Sequence, residues 1–159
     1  MYYYELPKDE VLENFIEKVT DDFESSGCYD VNFYEEDDFL MLEFAIDNVT
    51  RWDHHFIIEV LDNVETESFK ALVETGSDSE KAEFLYDRIN YKLYDLFCDF
   101  DNNQDDFIEM CLESRDTVRG IPHARKLVET AEEISEALGD LYSLSEYWLD
   151  ELEEELEEE

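Results

Sequence analysis

The stretch that decides the fold is Asp30–Ile46, which reads DVNFYEEDDFLMLEFAI. Apolar side chains alternate with other residues on both sides of the acidic run Glu35–Asp38. Alternation with a period of two is typical of a strand with one buried face, and a polar run between two such segments indicates a hairpin loop. The pattern predicts strands at Asp30–Tyr34 and Phe39–Ile46. A third alternating run, His55–Leu61, extends the pair into an antiparallel meander.

Helical periodicity accounts for most of the remaining chain. Pro7–Ser25 carries apolar residues at helical spacing, with acidic residues mostly on the opposite side. After the sheet, capping sequences and glycines divide the chain into further helical segments. Gly139 is expected to stop one of them, and Ser143–Glu146 is expected to cap the next. The expected helices lie at residues 62–76, 77 to about 100, 105–118, about 122–138 and 143 onward.

These elements predict an α+β fold, with an N-terminal helix, a three-stranded antiparallel sheet and a largely helical C-terminal half. The chain has 159 residues, of which 43% are hydrophobic and 14% aromatic. This content suffices for one core and distinguishes the chain from acidic disordered segments, which are poor in aromatics. We expect a single domain over residues 1–159, with the helix and meander in 1–62 and the helical part in 63–159.

The charge of the chain is strongly one-sided. The sequence contains 47 acidic and 11 basic residues, for a formal net charge of −36. Such a charge destabilises a compact state through self-repulsion, so the chain either uses the charge or comes from a salt-adapted proteome. The abundance of aromatic residues and the scarcity of glycine favour the first explanation, in which the protein uses its charge. Repulsion between like charges disfavours direct binding to nucleic acids and to anionic membranes.

Three features bear on the compartment. The cysteines Cys28, Cys98 and Cys111 lack paired spacing, which fits a reducing environment. The opening residues Met1–Glu5 lack the basic and apolar regions of a signal peptide. No run of about 18 apolar residues occurs that could span a membrane. We expect a cytoplasmic protein.

Catalytic and metal-binding motifs are absent from the sequence. Asp99, Asp101 and Asn103 match the first three ligand positions of an EF-hand, but Gln104 and Met110 replace the required Gly and Glu. No Cys or His spacing fits zinc. No glycine-rich phosphate loop or nucleophile elbow is found. We therefore expect neither an enzyme nor a protein with a cofactor or metal.

The carboxylates themselves are the candidate binding groups. No Lys or Arg follows Lys126, and fourteen acidic residues lie between Glu129 and Glu159. Helical carboxylates at i, i+3 and i+4 lie about 5–6 Å apart, which is close to the separation of neighbouring phosphates on one DNA strand. Carboxylates on a helix could therefore imitate a phosphate backbone. The alternative is an acidic face that is only solvated. Nearby tyrosines that could anchor a partner are Tyr86, Tyr91, Tyr94, Tyr142 and Tyr147. The predicted partner-binding residues are Glu35, Glu36, Asp37 and Asp38 in the hairpin, Asp99, Asp101, Asp105 and Asp106 between two helices, and Glu146, Asp150, Glu151 and Glu154 in the last helix.

The tail Tyr147–Glu159, YWLDELEEELEEE, resembles the acidic helices of DNA-mimic inhibitors from phages and mobile elements, which include antirestriction and anti-CRISPR proteins. The order of one helix, three strands and further helices is also similar to type II anti-CRISPR proteins that occupy the DNA-docking surface of Cas9. The resemblance covers most of the chain in style and topology, and it aligns no motif residue by residue.

This resemblance implies a stoichiometric inhibitor of a basic nucleic-acid-binding enzyme, with a CRISPR effector nuclease preferred over a restriction enzyme. Two other classes of function stay open. One is an acidic binding module of the immunity-protein or antitoxin type that does not imitate phosphates. The other is an enzyme or metal-binding protein.

Overall fold

A computed structural model describes residues 9–46, 55–113 and 120–158. One helix precedes a three-stranded sheet, and helices form the rest, which confirms the predicted α+β fold. The elements are α1 (Glu10–Ser25), β1 (Cys28–Glu36), β2 (Phe39–Ile46), β3 (His55–Leu61), α2 (Asn63–Thr75), α3 (Asp78–Asn102), α4 (Gln104–Glu113) and α5 (Gly120–Glu158).

The helix starts follow their capping residues. Asp9 has an extended backbone and accepts hydrogen bonds from the N–H groups of Val11 and Leu12, so α1 begins at Glu10. The predicted start at Pro7 is therefore wrong, and Pro7 itself lies outside the described residues. Two of the three capping sequences that predict helix starts are confirmed as complete capping boxes, Asp62 with Glu65 on α2 and Ser77 with Glu80 on α3.

The sheet is an antiparallel meander in the order β1-β2-β3. The predicted bounds of β2 and β3 are confirmed, but β1 is longer than predicted. Glu35 and Glu36 pair with Leu40 and Phe39, which leaves only Asp37 and Asp38 in the turn. Both turn residues have positive φ, 49° and 69°, as the tight two-residue turns that match strand twist require. The predicted four-residue loop is thus a two-residue turn.

The core joins the sheet to α1, α2, α3 and α5 through one cluster of buried side chains. Trp148 of α5 is 1% exposed and lies with its ring centroid 6.3 Å from Phe23 and 5.7 Å from Tyr86. Its indole N–H donates to Asp22 at 2.7 Å, which fixes α5 against α1. Tyr86 is buried, and this corrects the prediction that it could anchor a partner.

The largest difference from the sequence prediction is α5, which runs without a break through 39 residues. The predicted stop at Gly139 and the predicted cap at Ser143 are wrong. Gly139 lies inside the helix, where a Cβ atom would come within 3.2 Å of the Phe97 ring. Ser143 lies inside the same helix on its exposed side, so it caps no helix start.

Two smaller differences concern neighbouring segments. The helix predicted at Asp105–Val118 begins one residue earlier, at Gln104, and is described as far as Glu113, beyond which the prediction lies outside the described residues. Val128, which the helical spacing of apolar residues places with Ala131 and Ile134 in a buried stripe, is 43% exposed. Among the described residues, no helix is both long enough and apolar enough to cross a membrane.

Long-range contacts fix the directions of the long helices. Ser135 of α5 contacts Asp101 of α3, and Ser145 of α5 contacts Asn90 of α3, so these two helices are antiparallel. α1 runs parallel to α3, because Lys81 contacts Asp9 near its start and Tyr86 packs on Phe15 one turn later. The end of α5 therefore lies beside the starts of α1 and α3.

Candidate protein-interaction surface

One side of α5 is buried and the other is acidic. The buried seam recurs every three or four residues, at Ala131, Ile134, Leu138, Leu141, Ser145 and Trp148. The exposed carboxylates opposite this seam extend from Glu129 to Glu155, a length of about 39 Å at 1.5 Å per residue. We call them the α5 acidic face. Its members are Glu129, Glu132, Glu133, Glu136, Asp140, Glu146, Asp150, Glu153, Glu154 and Glu155.

The cations whose side chains the structure describes lie away from this face. Each forms ion pairs within or between α1, α2 and α3, including the Asp9 cap of α1, and only Lys18 also reaches α5, where its Nζ lies 3.6 Å from Glu151. No member of the α5 acidic face lies within 4 Å of a described cation, so this charge is not neutralised by that part of the protein. The described pairs are Lys18–Asp22, Lys18–Glu151, Lys70–Glu67, Lys81–Asp9, Lys81–Asp78, Arg88–Glu65, Arg88–Asp87 and Lys92–Glu65.

The best-buried pair, Lys81 with Asp9, has a structural role. Nζ of Lys81 lies 2.8 Å from Oδ2 of Asp9, and both side chains are largely shielded from solvent. Burial alone would raise the pKa of Asp9, but hydrogen bonds from Lys81 and from the N–H groups of Leu12 and Val11 lower it overall. The hydrogen bond to Asp9 raises the pKa of Lys81. This pair joins the starts of α1 and α3.

The predicted contact residues of the hairpin lie at one end of the molecule. Glu35, Glu36 and Asp37 are exposed and Asp38 is half-buried. Phe33, just before them, packs on Phe15 of α1 at 6.0 Å, which places the turn toward the start of α1.

The other two predicted clusters are separate from the hairpin. Asp99 and Asp101 lie in the last turn of α3, and Asp105 and Asp106 lie in the first turn of α4, at the opposite end of α3 from its contact with α1. On α5, Glu146, Asp150 and Glu154 are exposed, whereas Glu151 is half-buried and pairs with Lys18. The structure therefore does not bring the twelve predicted residues together. However, α5 extends from the cluster at the end of α3 toward the end of the molecule where the hairpin lies.

A groove of about 530 Å³ lies between α3 and α5 at the end where α4 begins. Phe97 and Tyr142 form its aromatic wall, with nearly parallel rings whose centroids are 6.5 Å apart. Of the twelve predicted partner-binding carboxylates, only Asp101 lines it. We call it the α3–α5 groove, and its lining residues are Phe97, Asp101, Gln104, Glu132, Ser135, Glu136, Gly139, Asp140, Tyr142 and Ser143.

Sequence reasoning missed three carboxylates of this groove, Glu132, Glu136 and Asp140. Their spacing of four residues is visible in the sequence and places them on one helix face. Their proximity to Asp101 depends on the register between α3 and α5, which is set by long-range packing. No local sequence pattern indicates how α3 and α5 are aligned.

Tyrosines accompany the carboxylates along α3 and α5. Tyr91, Tyr94 and Tyr147 are 55%, 47% and 58% exposed, as an anchoring role requires. Tyr142 is half-buried, with its ring centroid 5.0 Å from that of Tyr94. Partial burial and the neighbouring carboxylate of Glu146 raise the pKa of Tyr142 above its ordinary value.

The same surface shows how this chain binds a guanidinium group. The Cζ atom of Arg88 lies 5.8 Å from the ring centroid of Tyr91. Its two terminal nitrogens contact Asp87 at 2.8 Å and Glu65 at 3.1 Å. One arginine thus combines an aromatic ring with two carboxylates, a geometry that suits its planar, forked donor group.

The described residues offer little for catalysis or metal binding. No group of three or more His, Cys, Asp or Glu side chains among them could hold a metal ion. Asp99 and Asp101 are helical, whereas an EF-hand needs them in a loop. Burial raises the pKa of Cys28 to about 11, so its thiol is a poor nucleophile near neutral pH.

Comparison of the chain with protein-family models, with curated proteins and with solved structures found no match. The functional assignment therefore depends on the geometry and charge described above.

Proposed function

We propose that this protein is a stoichiometric inhibitor that presents a DNA-like acidic surface to a nucleic-acid-binding enzyme in the cytoplasm of a bacterial cell. The preferred target is a CRISPR effector nuclease, and a restriction enzyme is the next candidate. The acidic surface pairs with arginines and lysines of the enzyme that otherwise bind nucleic-acid phosphates. The enzyme is inhibited because its nucleic acid can no longer bind there.

The α5 acidic face carries this proposal. It is a single rigid helix with exposed carboxylates over about 39 Å, slightly more than the ~34–36 Å of one turn of B-DNA. No described cation interrupts the face. Complementary potentials of this kind accelerate association and exclude partners of the wrong sign.

The exposed tyrosines supply apolar contact area, which the carboxylates do not provide. Carboxylates steer a partner, but affinity depends mainly on a few desolvated anchors, among which Tyr is common. Tyr147 lies within the α5 acidic face, beside Glu146 and one turn from Asp150 and Glu151. An interface centred there would combine steering with apolar contact area.

The proposal is tested by competition between this protein and DNA. Purified protein is titrated into a guide-loaded CRISPR effector and, separately, into a restriction enzyme, each bound to labelled target DNA. We expect displacement of DNA at about one inhibitor per enzyme. Because the association depends on charge, direct binding of the protein to the DNA-free enzyme should weaken at least about tenfold between 50 and 200 mM salt.

Variants separate phosphate mimicry from a local acidic patch. Glu129, Glu133, Asp150 and Glu154 are converted to amides one after another, and Glu10, Glu13, Glu17 and Asp21 on the exposed side of α1 give a control with the same change in charge. Mimicry along α5 predicts a graded loss in the first series and little change in the control. A loss confined to one position indicates a binding module without mimicry. Failure to displace DNA from any such enzyme would reject the proposal.

A further inference from the structure

The α3–α5 groove combines an aromatic wall with a carboxylate rim. Phe97 and Tyr142 form the wall, and Gly139 lets α5 pack closely on Phe97, because a Cβ atom there would come within 3.2 Å of the ring. The groove has a volume of about 530 Å³ and is widely open to solvent, so a side chain of a partner can reach the wall. The carboxylates around it are Asp101, Glu132, Glu136 and Asp140.

One of these carboxylates is already held in position. Oδ1 of Asp101 accepts hydrogen bonds from the hydroxyl of Ser135 at 2.8 Å and from the amide of Gln104 at 3.2 Å. Oδ2 has no described partner. A carboxylate fixed in this way loses little conformational entropy when it binds a cation, which favours a specific contact over a diffuse one.

The charge of the groove indicates its occupant. Among the described side chains, no basic one lines it or lies within 4 Å of its four carboxylates. A metal ion is not favoured, since the described residues contain no cluster that could hold one. A planar cation that can lie against a ring and form paired hydrogen bonds matches both the wall and the rim.

We propose that the α3–α5 groove binds an arginine side chain of a basic partner protein. The guanidinium lies against Tyr142 and donates to carboxylates of the rim, as Arg88 does with Tyr91, Asp87 and Glu65 within the chain. This inference rests on the proposed function and refines it. It assigns the contact with a partner arginine to the α3–α5 groove, and it predicts that the groove binds arginine more tightly than lysine.

The test uses the whole protein and a labelled, capped glycine–arginine peptide, with a glycine–lysine peptide of equal length and charge for comparison. We expect the arginine peptide to bind at least about threefold more tightly, because only arginine combines ring contact with forked hydrogen bonds. Binding should shift the NMR signals of the Tyr142 ring. Equal affinity for the two peptides would overturn the proposal.

Matched variants locate the site. Glu136→Gln with Asp140→Asn changes the groove, while Glu13→Gln with Glu17→Gln removes the same charge from the exposed side of α1. We expect the groove variant to lose about tenfold in affinity for the arginine peptide and the control less than about twofold. Equal losses would show that only the overall field attracts the peptide. Thermal melting confirms that both variants fold.

The outcome separates this inference from the proposed function. If the groove variant still displaces DNA from a nuclease as well as the wild type does, the groove assignment fails and the inhibitor function stands. If the peptide binds in the groove but no nucleic-acid enzyme is inhibited, the assignment stands and the inhibitor function fails.

Discussion

Glu65 shows how a single carboxylate is stabilised in a chain with so much negative charge. It completes the capping box of α2 and lies 3.1 Å from Nη1 of Arg88 and 3.2 Å from Nζ of Lys92 on α3. Partial burial opposes ionisation, but the hydrogen bonds from Asp62 N–H, Arg88 and Lys92 lower the pKa of Glu65 overall. Two of the five described cations are thus committed to one acidic residue.

Glu65→Gln should lower the free energy of unfolding by about 1–3 kcal/mol, because it leaves two cations without their central partner while the amide can still cap the helix. Glu67→Gln is the matched control. Glu67 pairs with Lys70 alone and its side chain is 66% exposed. The control should change stability by less than about 0.5 kcal/mol. Urea unfolding of both variants at neutral pH provides the measurement, and equal stabilities would contradict this role.

The pH dependence of the same variant follows from the direction of the pKa shift. Folding lowers the pKa of Glu65 from its ordinary 4.5, so its contribution is complete above that pH and is lost as the pH falls through the folded-state value. The stability difference between the wild type and Glu65→Gln should be constant from about pH 8 to pH 6 and should shrink as the pH falls below 4.5.

At the scale of elements, regular local patterns were sufficient for β2 and β3 and for the starts of α2 and α3. The period-two alternation of β2 and β3 gave their bounds, and the capping boxes located α2 and α3. Local signals predicted the wrong helix boundaries at Gly139 and Ser143, because the identity of these residues does not indicate which tertiary contacts surround them. The signal that could have corrected this is the phase of the seam, which continues unbroken from Leu138 through Leu141 and Ser145 to Trp148.

The continuity of α5 predicts the effect of a proline at Ser143. In a linker between two helices, Ser143→Pro would be tolerated. Inside α5 it removes a helical hydrogen bond and clashes with the carbonyl of Gly139, which costs about 3 kcal/mol or more. Ser143→Ala is the control, because Ser143 is exposed and Ala favours a helix. Calorimetric melting should show a large loss for the proline variant alone, and equal melting temperatures would indicate that the helix is broken there.

At the scale of the whole molecule, the candidate surface was only partly predictable. The excess of charge after Lys126 is visible in the sequence, and it is located on α5 as expected. The groove at Asp101 was not predictable as a unit, because Ser135 and Asp101 are 34 residues apart and meet only through antiparallel packing. Composition therefore indicated the sign of the partner, and tertiary structure was needed to locate a specific contact.

The net charge also predicts how salt acts on the isolated protein. Because 47 acidic residues face 11 basic ones, repulsion destabilises the folded state, and the α5 acidic face contributes without described compensation. Raising sodium chloride from about 10 to 150 mM shortens the Debye length from about 30 to 8 Å. We expect the melting temperature to rise by several degrees, since about 1 kcal/mol corresponds to ~2–4 °C in a domain of this size. Potassium chloride should act equally if screening is the cause, and a flat or falling melting temperature would contradict it. The same screening should weaken binding to a basic partner, so stability and affinity should respond to salt in opposite directions.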